Sequence, residues 1–85
     1  MSNTRVEITI NSEKRFLESL YPVEWTAFIS NAKIFNSIED ARLNLNYRFT
    51  QLSESLNHNT IHISDIRLVT IDNGRIIHEE FYLRR

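Results

Sequence analysis

The sequence predicts an α+β fold in a single domain spanning residues 1–85. The elements are an N-terminal β-hairpin, one long helix over about 37–56 and a C-terminal β-hairpin, with the helix packed on an antiparallel sheet. Three observations predict it. Val6, Ile8 and Ile10 alternate with Arg5, Glu7 and Thr9, the period of a strand with one buried face. Ile38, Ala41, Leu45, Phe49, Leu52 and Leu56 recur at steps of three and four, the period of a helix. Asp72-Asn73-Gly74 between two apolar runs is the strongest hairpin signal in the chain, and it uses the only glycine.

Size and composition bound the rest. A chain of 85 residues buries only about 60–65% of its unfolded surface, so its core is limited. There is no cysteine, which excludes a disulfide staple and a cysteine zinc site. An apolar content of 41% is ample for a globular fold. The net charge of −1 gives no bulk field toward nucleic acid or membrane. No run approaches the roughly 20 apolar residues of a membrane-spanning helix, and Met-Ser-Asn-Thr-Arg lacks a signal-peptide core. A cytoplasmic protein with no membrane association is expected.

In chain order, the first strand ends at Asn11-Ser12-Glu13-Lys14, which reads as a turn. Residues 15–20 fit two patterns. Phe16, Leu17 and Leu20 share a helical face with Ser12 as cap, while Phe16-Glu18-Leu20 alternates as a strand; the strand reading completes a hairpin and is preferred. Tyr21-Pro22 ends it either way, because proline lacks the N–H and restrains its predecessor. Trp25 is expected as a core residue. Residues 27–32 suggest a helical turn placing Phe28 or Ile29 inward, and residues 33–35 a brief strand.

Ser37 is a good N-cap for the long helix, with Asp40 three residues on as a shortened capping box. Glu39 and Asp40 suit the positive end of the helix dipole. The six apolar positions fall within a stripe roughly 80° wide, the core face. Asn57-His58-Asn59 is expected to end the helix. Leu43 and Tyr47 lie off the stripe, four apart and therefore neighbours, flanked by Arg42, Asn44, Asn46, Gln51 and Glu54. They are either a solvated pair or a contact patch for a partner or a second copy.

Residues 60–72 are strand-rich, with an apolar parity change that places a bulge or break at Ser64-Asp65. Residues 75–83 return as the partner strand. A two-residue turn pairs Ile71 with Ile76, Arg67 with Glu80 and Ile66 with Phe81. A three-residue turn brings Arg67 to Glu79 and Ile63 to Leu83. Two hairpins leave edges that can pair with another chain.

Trp25-Thr26, Ala32, Phe35, Ser37, Asp40 and Ala41 form the spaced pattern W-T-x5-A-x2-F-x-S-x2-D-A, preceded by Phe16-Leu17. Over about residues 14–45 this resembles many small, mostly uncharacterised proteins of tailed phages and mobile elements. The resemblance implies that a hairpin presents the aromatic-Leu pair, a tight turn carries Trp-Thr and the first Ala, and the Phe leads into a helix. It implies an accessory or host-interaction role and no particular mechanism. This chain departs from the usual form in Leu-Tyr-Pro-Val-Glu before Trp25 and in lacking an acidic residue just after Thr26.

Site chemistry is sparse. His58 and His62 have helical metal-ligand spacing, but the helix is expected to end between them. His78 could meet His62 only across the C-terminal sheet, in neither expected register, and no third ligand is evident, so no metal or cofactor is expected. Glu39-Asp40 is capping chemistry, and Glu79-Glu80 points to opposite sides of a strand, so neither pair is a catalytic dyad. One glycine cannot build a phosphate-cradling loop, and no serine is marked as a nucleophile beside a base. No catalytic residue is assigned.

The expected function is a non-enzymatic protein-interaction module, a phage or mobile-element accessory factor that binds and modulates a host protein. Leu43, Tyr47, Arg42 and Asn46 form its candidate interface, with homodimerisation through that patch as a sub-case. The alternative is a small nucleic-acid binder using Lys14, Arg15, Arg84 and Arg85, with Tyr21 and Tyr82 available to stack on bases.

Overall fold

Val6, Glu7 and Ile8 set the layout, because all three are buried although neighbours along a strand point to opposite faces. Their strand must therefore be covered on both sides and lie inside a sheet. In the computed structural model, which describes residues 2–10, 12–57 and 63–83, it does. The first strand, β1 (Asn3–Ile10), lies between β2 (Glu13–Leu20) and β4 (Ile63–Asp72). A short β3 (Val23–Thr26) and the C-terminal β5 (Arg75–Leu83) complete the sheet, in the order β3-β2-β1-β4-β5, every neighbouring pair antiparallel. The α+β class and both hairpins are as the sequence predicts, but the hairpins join into one sheet through β1 and β4. The sheet edges are β3 and β5.

The helical layer covers one face. Ala41, Leu45 and Leu52 pack with Val6, Ile8, Leu17, Leu20, Phe35, Ile66 and Leu68 in a common core, flanked by the half-buried Trp25 and Ile38. Full burial of a leucine such as Leu45 or Leu52 stabilises by about 1.5–3 kcal/mol. The expected single helix is two segments, α1 (Ile38–Tyr47) and α2 (Phe49–Asn57), divided at Arg48, whose φ and ψ of −107° and 25° leave the helical region. The break shifts the stripe out of phase. Phe49, placed in the core by its spacing, is 46% exposed, whereas Leu52 is buried as its place on the stripe predicts. The side chain of Leu56 lies outside the described residues, as do His58, Asn59 and the start of the 60–72 segment.

β2 resolves its two competing patterns with a bulge. Its pairing with β3 shifts between Leu17 and Ser19, so Glu18 is an extra residue in the ladder. Leu17 and Leu20 consequently face the same core although three apart, the spacing that imitates a helix. Phe16 takes the opposite face, opposite Glu7 in the ladder. Val23–Thr26 carries too few alternations to stand out as a strand, and Pro22, in a cis peptide with Tyr21, marks the turn before it. The helical turn expected near residues 27–32 is a 3-10 segment, Ile29–Asn31, but Phe28 and Ile29 point outward rather than into the core. Phe35 joins β1 through reciprocal backbone hydrogen bonds with Thr4, each 2.8 Å, so the brief strand expected over residues 33–35 is reduced to this single bridge.

The bulge expected at Ser64-Asp65 lies between the pairs Ile10–Ile63 and Ile8–Ile66. Asn73 and Gly74, at φ 51° and 76°, form a two-residue turn that pairs Ile71 with Ile76 and Asp72 with Arg75. Thr70 then pairs with His78, so Ile77 is an extra residue. Downstream, Arg67 stands opposite Phe81 rather than Glu80 or Glu79.

On the face away from the helices, the Glu7 side chain is 1% exposed and ion-paired with Arg67, whose Nη1 lies 4.0 Å from Glu79 Oε1. Val69, Ile71 and Phe16 are buried on that side.

Candidate functional site

The candidate surface is carried by α1, and its start is fixed locally. The Ser37 hydroxyl accepts from the Asp40 backbone N–H at 3.1 Å, and the Asp40 carboxylate accepts from the backbone N–H of Asn36 at 3.3 Å. The reciprocal pattern of a capping box is thus present, displaced by one residue on the return bond. The first four amides of a helix have no intrahelical acceptor and are left to such partners or to water.

The four proposed interface residues divide into two pairs. Arg42 donates through Nη2 to Glu80 Oε2 at 2.9 Å, and Asn46 Oδ1 accepts from the Tyr82 hydroxyl at 2.7 Å. Both therefore tie α1 to the edge strand β5. Leu43 and Tyr47 are 68% and 82% exposed and project from the helix. The structure keeps Leu43 and Tyr47 as a surface pair and gives Arg42 and Asn46 intramolecular roles. Glu79 and Glu80 point to opposite sides of β5, the first toward Arg67 and the second toward Arg42, as the strand period requires.

The electrostatics of the α1–β5 seam follow from these contacts. The hydrogen bond with His78, 3.0 Å from Glu80, and then that from Arg42 hold the Glu80 carboxyl below the usual carboxylate range, against the opposing effect of desolvation. Burial pushes the Tyr82 phenol above the usual tyrosine value, opposed by the charge of Arg42.

The ridge continues beyond Tyr47 onto a surface the sequence does not signal. The Arg48 guanidinium lies over two tyrosine rings, 4.6 Å from the Tyr21 ring centre and 5.2 Å from that of Tyr47. Tyr21 itself is 77% exposed. Together with Ser19, Lys33 and Asn44 these groups line a recess of about 350 Å³. Tyr21 belongs to the β2–β3 turn and Arg48 to the helix break, so no spacing in the sequence joins them.

The residues of the nucleic-acid alternative do not form one cluster among the described residues. Lys14 is exposed, and Arg15 is paired with Glu13 at 2.6 Å. Arg84 and Arg85 lie outside the described residues, as do His58 and His62. Tyr82, offered for stacking, is half-buried and bonded to Asn46, whereas Tyr21 is open. Among the described residues no three His, Cys, Asp or Glu side chains gather where a metal could sit. No helix there is long and apolar enough to cross a membrane.

Comparison with protein-family models, with curated proteins and with solved structures found no match to this chain.

Proposed function

We propose that the protein is a non-enzymatic interaction module that docks a host protein on the outward face of α1, acting as a phage or mobile-element accessory factor in the bacterial cytoplasm. The observation that carries this reading is the division of labour on α1. Arg42 and Asn46 tie the helix to β5, which leaves Leu43 and Tyr47 exposed on a helix anchored to the sheet. A leucine and a tyrosine held this way offer contact area at low entropic cost, the property that makes tyrosine common in binding surfaces. The W-T-x5-A-x2-F-x-S-x2-D-A pattern supports the phage setting by resemblance. A second copy of the chain is the other occupant of the same patch.

The test is a tagged pull-down from bacterial lysate after nuclease treatment, run beside the Leu43→Asp/Tyr47→Asp variant, with solution mass measured for both. The reading expects a protein retained by the parent and lost by the variant, or a dimer of the parent that the variant dissociates. It fails if capture and mass are the same for both chains, or if everything captured is lost to nuclease.

A further inference from the structure

We propose that the recess between the β2–β3 turn and the break after α1 binds a phosphate monoester of the nucleoside-monophosphate type. The inference goes beyond partner docking on α1 and does not depend on it.

Charge is the first argument. The recess lining includes Lys33 and Arg48 and no acidic residue, a local charge of +2 on a chain whose net charge is −1. Arg15, Arg42 and Arg67 each end on a carboxylate. Among the described residues Arg48 and Lys33 do not; they lie against aromatic rings, Lys33 at 5.6 Å from the Phe35 ring centre. The acids around the recess are placed elsewhere. Asp40 is engaged by the Asn44 amide at 3.1 Å and by the Asn36 N–H, and Glu24 stands opposite Ser19 in the β2–β3 ladder without entering the lining. Two uncompensated cations match a phosphate monoester, which carries about −1.5 to −2 at neutral pH, better than a single carboxylate.

The hydrogen-bonding groups point the same way. The Arg48 guanidinium lies over the Tyr21 and Tyr47 rings, and cation–π contact with a ring face does not use up N–H donors, so a planar fork suited to paired bonds with phosphate oxygens is available at the recess. The Ser19 hydroxyl accepts from the Tyr21 N–H at 3.3 Å, which leaves its own proton to donate. Asn44 spends its Nδ2 on the Asp40 backbone carbonyl and carboxylate, leaving Oδ1 as an acceptor suited to a ribose hydroxyl. The rings of Tyr21 and Tyr47 are largely exposed, so a base can stack on either outer face.

The experiment is an NMR titration of the intact 15N-labelled chain at constant ionic strength with AMP, inorganic phosphate, adenosine and a phosphoserine peptide. AMP is expected to shift the Arg48 side-chain N–H and the Ser19 and Asn44 signals to saturation. Inorganic phosphate should reach the same signals roughly tenfold more weakly, having no base to stack. Arg48→Met should lower AMP affinity about tenfold or more, since it removes charged hydrogen bonds. Lys33→Met should weaken it as well, and Arg48→Lys should restore part of the loss. Unchanged dispersed spectra identify variants that remain folded, and Leu43→Asp should leave AMP binding intact while testing the α1 patch separately. The proposal is overturned if AMP produces no saturable shift at these residues, or if adenosine binds as tightly as AMP. It is equally overturned if the phosphopeptide matches AMP, or if folded Arg48→Met and Lys33→Met chains bind AMP like the parent.

Discussion

Replacing Arg67 by methionine should cost this fold more than replacing Glu7 by methionine, although both changes break the same ion pair. The Glu7 side chain is 1% exposed and the Arg67 side chain 27%. Without Arg67, a buried carboxylate loses its ion-pair partner, and such losses cost about 3–5 kcal/mol. Without Glu7, Arg67 keeps access to water and has Glu79 at 4.0 Å, so the cost falls to about 1–2 kcal/mol. Changing both residues to methionine removes both charges and leaves no orphan, so the double variant should lie within about 1 kcal/mol of the parent. An ordinary domain of this length is stable by about 4–13 kcal/mol, so Arg67→Met removes a large share. At roughly 4–8 °C per kcal/mol for a domain of this size, its melting midpoint should drop by on the order of 20 °C. Urea denaturation followed by circular dichroism would measure all four chains. An Arg67→Met cost no larger than that of Glu7→Met would refute the burial argument. A double variant as unstable as the sum of the singles would refute the pairing itself.

Two further outcomes follow from the α1 layer. Ser37→Ala removes the acceptor for the Asp40 N–H and should lower stability by about 1 kcal/mol, with Ser37→Asp restoring it; denaturant midpoints would show whether the cap matters. Tyr82, whose phenol is raised by burial, should contribute stability that is complete below the unfolded tyrosine value and lost as pH rises through its folded one. Tyr82→Phe should therefore abolish the highest-pH part of the phenolate absorbance titration and flatten the alkaline stability limb; a titration curve unchanged by that substitution would contradict it.

Where local period and tertiary burial agree, the sequence is readable. Ile38, Ala41 and Leu45 announce α1, and Asn73-Gly74 sets the turn and its first pairs, Asp72–Arg75 and Ile71–Ile76. Reading fails where one residue is inserted or one dihedral pair leaves the regular region. Glu18 makes Leu17 and Leu20 look helical, Ile77 displaces every pair after Ile76, and Arg48 turns Phe49 out of the stripe. None of these has a distinctive side-chain signature, because bulges and helix breaks are backbone events. The candidate surface was legible only on α1. Leu43 and Tyr47 betray themselves by sitting off the stripe, but Arg42 and Asn46 are claimed by β5 through long-range packing. Tyr21 and Arg48 meet for the same reason, with nothing in the intervening sequence to signal it.

The central position of β1 also dictates when the molecule can be completed. Asn3 pairs with Ile71 and Glu7 with Arg67, so β1 waits for a strand that is synthesised only after both helices. Until then the sheet-forming groups on that side of β1 are unclaimed, and Val6 and Ile8 lack Leu68 and Ile66. Closure across so long a stretch is slow compared with local hairpin formation. A nascent chain halted after α2 would therefore expose a ready template for strand exchange. Whatever shields it during synthesis need act only until β4 arrives.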